Sequence, residues 1–172
     1  MARDVVLVNG LPGSGKSSLA PRLAAALGAG FLSKDRVKEA LADAVVTDLP
    51  TLGAVAMDTV WRCAADLPGM VVVDSWWFRP RDLEHARTGL ARAGASGSVE
   101  VWCDVPADLA RARFVARRRP DVHADAERLA TRWSGWAARA EPLRLGPVIR
   151  VDTARPVDVG AVADRVRAAL WA

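Results

Sequence analysis

The 172 residues suit one compact domain with a sizeable core. Lys and Arg number 24 against 20 Asp and Glu, and the resulting net charge of +4 with a pI near 9.8 suits anionic ligands while falling short of a strongly basic polyanion binder. Two cysteines, Cys63 and Cys103, stand far apart in apolar contexts without metal-ligand spacing, which argues for buried free thiols in a reducing compartment.

No basic region followed by a long apolar core opens the chain, and no apolar run approaches the length of a membrane span, so a soluble, cytoplasmic protein without a membrane partner is expected. Short apolar runs at about 4–9, 31–33, 70–74, 98–104 and 147–152 predict strands. Longer stretches at about 15–27, 36–44, 51–66, 82–93, 107–117, 124–143 and 157–171 predict helices. That alternation is the pattern of strands joined by crossover helices in a parallel sheet buried on both faces. Gly28-Ala29-Gly30, Leu67-Pro68-Gly69 and the stretch from Gly94 to Gly97 punctuate the boundaries, and there is no internal repeat.

The first strand runs directly into Gly10-Leu11-Pro12-Gly13-Ser14-Gly15-Lys16-Ser17, which reads G-x-x-x-x-G-K-S and opens a helix. Glycines at this spacing let successive backbone N–H groups converge on one centre, and the helix adds its positive N-terminal end. The segment is a phosphate-binding loop. Gly10, Gly13, Ser14, Gly15, Lys16, Ser17 and Ser18 are the nucleotide-binding residues, with Lys16 reaching the β- and γ-phosphates and the Ser17 hydroxyl on magnesium. A chain of this length leaves little room for the extra helical domain of motor-type ATPases.

Ligands of an open parallel sheet bind beyond the carboxyl ends of its strands, which directs attention to the residues that close each apolar run. Asp35, at the end of the second strand, fits a base for a substrate hydroxyl attacking the γ-phosphate, with an N-cap of the following helix as the alternative. Asp74 closes Val71-Val72-Val73 and fits a Walker B carboxylate that shares magnesium with Ser17. Asp104 precedes Val105-Pro106 and fits a turn. Two adjacent tryptophans, Trp76 and Trp77, cannot both face one core from a short loop, so at least one is expected to line an acceptor pocket; Arg79 holds either an anionic substrate group or a nearby carboxylate. Arg113 and Arg117 lie four apart on one helical face where a lid over the nucleotide would begin, and the run continues through Arg118 and Arg119. Without interleaved aromatic platforms, the run reads poorly as a nucleic-acid surface.

These stretches together resemble the small P-loop kinases grouped with AAA_33-type ATP-binding proteins, zeta toxins and chloramphenicol phosphotransferases. The resemblance rests on G-L-P-G-S-G-K-S-S at 10–18, S-K-D-R-V-K-E at 33–39, V-V-V-D-S at 71–75, and Pro106 followed by Arg113 and Arg117. It implies an α/β three-layer sandwich of the nucleoside-kinase-like P-loop NTPase class, with a parallel sheet of about five strands ordered 2-3-1-4-5. It further implies a single domain over 1–172 with a lid at about 113–125, ATP with magnesium, a catalytic carboxylate at Asp35 acting with Lys16, and lid arginines at Arg113 and Arg117. The stretch from Arg119 to Asp125 is similar to an R-x-P-x-x-H-x-D segment found after the lid, where His123 would have a structural role at the start of the next helix. The chain lacks the glycine triplet of shikimate kinases and the acceptor-site pattern of adenylylsulfate kinases. An ATP-dependent phosphotransferase acting on a hydroxyl of an antibiotic, sugar or nucleoside is expected, the alternatives being a nucleotide-dependent regulatory ATPase or a polynucleotide 5′-kinase.

Overall fold

Val5, Val6, Leu7 and Val8 are each at most 1% exposed, as an apolar run must be if both faces of its strand are covered. The computed structural model describes residues 3–45, 49–117, 120 and 123–171. The run forms β1 (Arg3–Asn9), joined by β2 (Gly30–Ser33), β3 (Val71–Asp74), β4 (Ala95–Asp104) and β5 (Val148–Asp152). All neighbours are parallel, in the order β2-β3-β1-β4-β5, the order expected from the sequence. The helices are α1 (Lys16–Leu27), α2 (Lys34–Ala44), α3 (Leu52–Asp66), α4 (Arg79–Arg92), α5 (Ala107–Ala116), α6 (Asp125–Thr131), α7 (Trp133–Arg139) and α8 (Val159–Leu170).

The period of two along β1 sorts its side chains between two cores. Val6 and Val8 pack with Leu19 and Leu23 of α1 and Val162 and Val166 of α8. Val5 and Leu7 face the other way, onto Val60 and Trp61 of α3 and Ala86 and Leu90 of α4. Each fully buried side chain of this size contributes about 1.5–3 kcal/mol, so the two layers hold the sheet rigid beneath its carboxyl-end loops. A third cluster of Leu11, Phe78, Phe114, Trp133 and Trp136 covers those loops. Among the described residues, no helix is long and apolar enough to cross a membrane.

Several element boundaries differ from expectation, among them the start of β4, at Ala95 rather than 98. Helix α4 starts at Arg79 rather than 82, because Pro80 suits a first turn and the Asp82 carboxylate reaches back to accept the Phe78 N–H at 2.8 Å. The single helix expected at 124–143 is two, α6 and α7, broken at Arg132 (φ −122°) and finished before Pro142. Helix α5 stops at Ala116, one residue short of the expected 117, and Arg117 has extended backbone. Arg118 and Arg119 lie outside the described residues.

Gly89 of α4 lies flat against the Trp61 indole of α3; a Cβ there would overlap three ring atoms. Alanine normally stabilises a helix interior by about 1 kcal/mol relative to glycine, whereas overpacking costs about 1–3 kcal/mol. Gly89→Ala is therefore expected to destabilise the fold by roughly 1–2 kcal/mol. Urea denaturation checks this, and a gain in stability would show that α3 and α4 do not close on one another through this glycine.

Candidate active site

The phosphate loop follows β1 at the carboxyl edge of the sheet. Gly10, Gly13 and Gly15 have φ of +144°, +83° and +93°, values open to glycine and strained for other residues. A Cβ on Gly10 would stand 2.6 Å from Ser14 Oγ and 2.7 Å from the Cys103 carbonyl, and one on Gly13 would overlap the Ala110 carbonyl. The loop is thus pressed against β4 and α5 by its own lack of side chains. Thr153 fixes it from just beyond β5, its hydroxyl lying 2.6 Å from the Ser14 carbonyl and 3.1 Å from the Asp104 carbonyl.

Lys16 is 8% exposed, and its ammonium donates to the Gly10 and Leu11 carbonyls at 2.8 and 2.9 Å. Burial holds its pKa below the ordinary lysine value, with Asp74 the strongest opposing influence. Asp74, 3% exposed and beside Val8 in the sheet, is therefore electrostatically coupled to the loop. Ser14 Oγ is buried with no hydrogen-bond partner among the described residues, an unused polar atom inside the cradle. A desolvated cation, an orphaned hydroxyl and glycines with no Cβ make a fit for phosphate. The Ser17 hydroxyl and the Asp74 carboxylate are hard oxygen donors of the kind magnesium takes.

A cavity of about 650 Å³ runs from Pro12, Lys16 and Ser17 past Asp35 to the cleft between α3 and α4. The two adjacent tryptophans turn to different cores. Trp77 enters the sheet-side core 6.5 Å from Trp61, whereas Trp76 joins the outer cluster 6.1 Å from Trp136, and both line the cavity. Asp35 lies in the first turn of α2, and the N-cap position belongs to Ser33, which corrects the capping alternative.

The two lid arginines part company because α5 ends between them. Arg113 donates to the Thr153 carbonyl at 3.0 Å and is absent from the cavity wall. Arg117 lines the cavity, stacked 4.2 Å from the Phe114 ring centroid and paired with Asp125 at 3.2 Å. Arg79 also lies off the wall: it donates to the Leu143 carbonyl at 3.2 Å and pairs with Glu141 at 3.3 Å, so of its two expected partners the structure supplies the carboxylate. Ser18 is exposed on α1. Asp104 accepts from Arg150 at 3.1 Å at the turn after β4.

Glu100 and Asn9, which brace the site from beneath, carried no sequence signal. Glu100 of β4, 1% exposed, accepts the Asn9 amide at 2.9 Å and the Leu143 and Arg144 N–H groups at 3.0 Å each. The Asn9 side-chain oxygen, Oδ1, accepts the Gly10 and Trp77 N–H groups at 2.8 and 3.0 Å. His123, 1% exposed, places Nε2 2.7 Å from Glu39 and Nδ1 4.0 Å from Asp35. Its place before α6 agrees with a structural role, and its contacts also tie that segment to the Asp35 helix.

The AAA_33 model, described as an AAA domain, matches residues 5–143. A candidate kinase of Chloroflexus aurantiacus is 25% identical, with 99% of this chain and 100% of that chain covered at a TM-score of 0.79. A sugar kinase of Janibacter (20% identity, 99% and 95% covered, TM-score 0.62) and a shikimate kinase of Acinetobacter baumannii (15%, 97% and 92%, TM-score 0.58) share the fold. An uncharacterized protein of Mycobacterium tuberculosis is 33% identical over 170 residues, covering 88% of this chain and 32% of its own length. The chain thus spans about a third of the length of the curated relatives it matches. The fold is that of a P-loop kinase.

Cys103 stands under the loop, and burial pushes its thiol pKa up to about 12, whereas Cys63 is exposed. A thiol disulfide reagent attacks the thiolate, so at pH 8 it is expected to titrate one thiol in the native protein and two after denaturation. Rapid reaction of both in the native state would show that the floor of the loop opens.

Proposed function

The chain belongs to the AAA_33 family of AAA domains, and we propose that it is an ATP-dependent phosphotransferase that moves the γ-phosphate onto a hydroxyl of a small molecule. The observation that carries this reading is that Lys16, Ser17 and Asp35 line one cavity that continues beyond them into the α3–α4 cleft. Its volume of about 650 Å³ falls in the range of small-molecule sites, which favours a small acceptor over a polynucleotide strand. A regulatory ATPase would need no such space past the phosphates.

In the proposed mechanism the amides of residues 13–18 cradle the β-phosphate, and the Lys16 ammonium exchanges the Gly10 and Leu11 carbonyls for phosphate oxygens. Ser17 and Asp74 would hold magnesium, which draws charge from the β- and γ-phosphate oxygens when bound. The acceptor hydroxyl attacks the γ-phosphorus, its proton passes to Asp35, and the bond to the β-phosphate oxygen breaks to release ADP. Arg117 bears on the charge of the group in transfer, and Arg113 joins it if the lid at about 113–125 closes. The Trp76, Phe114 and Trp136 rings wall the cavity and limit water as a competing acceptor.

Mg-ATP at about 100 times its Kd is expected to raise the melting temperature by roughly 5–10 °C, from about 2.7 kcal/mol of linkage. Lys16→Ala should lose most of that shift relative to its own nucleotide-free melt. Equal shifts in the two proteins would remove Lys16 from the phosphate site.

Asp35→Asn tests the base. Shape and Mg-ATP affinity should persist while phosphoryl transfer falls by about 10²- to 10⁴-fold, toward the lower end if the transition state is loose. The measurement is turnover with a verified acceptor beside nucleotide affinity by calorimetry. Unchanged turnover would leave the reaction without a base at this position.

A further inference from the structure

Six cations line the cavity, and four of them are already committed. Lys16 holds two loop carbonyls, Arg81 makes two bonds of 2.6 Å to the Asp82 carboxylate, Arg92 pairs with Asp58, and Arg117 pairs with Asp125. The side chains of Lys34 and Arg128 have no hydrogen bond and no ion pair among the described residues, though both residues are half-buried. Lys34 opens α2 beside Asp35 and extends to the first turn of α3, where its ammonium stands 3.8 Å from the point a Gly53 Cβ would occupy. Arg128 arrives from α6.

The two charges are close enough to act on one another. Burial first, and then repulsion from Arg128 and Arg81, holds Lys34 below the ordinary lysine value; burial lowers Arg128 as well, with Arg132 and Arg81 adding to it. Asp35, Asp82 and Asp125 offset part of this, but Asp82 and Asp125 are bonded to other arginines and Asp35 faces His123. Gathering partly desolvated cations whose neighbouring carboxylates are shared with other partners costs free energy, and an anion entering the cavity would recover part of it. The loop amides, Lys16 and Arg117 already serve the nucleotide phosphates at the other end of the cavity.

Resting on the phosphotransferase reading, we propose that the acceptor is a hydroxylated anion, whose carboxylate or phosphate binds Lys34 and Arg128 while its hydroxyl faces the adjacent Asp35. Neutral antibiotics, sugars and nucleosides are then poor acceptors, and sugar acids or sugar phosphates are good ones.

The test pairs neutral and charged hydroxyl compounds of one skeleton: glycerol with glycerate and glycerol 3-phosphate, glucitol with gluconate, and ribose with ribose 5-phosphate. ADP release with Mg-ATP and thermal shift with a non-hydrolysable ATP analogue are read for wild type, Lys34→Met and Arg128→Gln. The expected result is turnover with a charged member and little with its neutral partner. Each substitution should raise KM for that acceptor by about 10- to 100-fold, the usual worth of a charge-assisted hydrogen bond, with Mg-ATP affinity kept. Arg128→Lys should recover part of the loss if a variant is poorly folded. Equal turnover of charged and neutral partners overturns the proposal, as does loss of Mg-ATP affinity in both variants, which would give these cations to the nucleotide. If no compound is phosphorylated, an anion-specific melting shift that either substitution abolishes still upholds the anion site while the phosphotransferase reading fails. Absence of both turnover and shift across all the anions overturns it.

Discussion

A carboxylate buried in the middle of a sheet must be bonded on every side, and Glu100 imposes that demand on the whole carboxyl edge of this molecule. Its two oxygens take three donors: the Asn9 side chain and the backbone N–H groups of Leu143 and Arg144. The second pair fixes the extended segment after α7, where Arg144 takes a φ of +58°. The first orients the Asn9 amide, whose oxygen then grips the start of the phosphate loop and the loop that carries the tryptophans. Nucleotide end and acceptor wall are therefore held by one polar cluster beneath them. A network of this kind is stabilising only while complete, since loss of one donor leaves the others beside a buried, underbonded charge.

Above that cluster the phosphate loop stores an electrostatic demand. Lys16 is kept desolvated on two carbonyls, and its depressed pKa means that holding it charged opposes folding. The cost is full below the folded-state pKa and fades as pH rises from there toward the ordinary value of 10.5. On the proposed reading a bound phosphate would remove the same cost at neutral pH by supplying the missing charge, so ligand affinity and apo-state instability would have one source. Glycine at positive φ keeps the carbonyls and amides of the loop close enough for this without side chains intervening.

What the sequence made legible is what a continuous segment can encode. The loop from Gly10 to Ser18 is local, and Asp74 closes a strand, so their neighbourhood follows once the sheet is parallel with β1 central. Strand order was also recoverable, through a family resemblance rather than from periodicity. Arg113 and Arg117 were read as a pair from their spacing of four, which holds only while a helix continues; α5 ends at Ala116, and the two side chains go to different partners. Glu100 gave no signal because a glutamate in an apolar strand is intelligible only when its donors, 43 and 91 residues away, are placed beside it. Lys34 and Arg128 were silent for the same reason: each is an ordinary charged residue on a helix until folding puts both on one cavity.

The two ends of the cavity are built by different rules. The phosphate end comes from one stretch of backbone whose geometry is fixed by glycine and by Thr153, so a change there alters conformation as well as contacts. The other end comes from side chains on α2, α3, α4 and α6, of which α3 and α4 are anchored on the sheet by their buried faces. Substituting Lys34 or Arg128 changes the charge offered to an acceptor without touching the Glu100 network or the loop. Specificity in this fold can thus change independently of nucleotide chemistry. On the proposed reading the arrangement also sets a limit: an acceptor held by Lys34 would present its hydroxyl to Asp35, because that carboxylate sits on the same first turn as Lys34 and cannot be moved without moving the cation beside it.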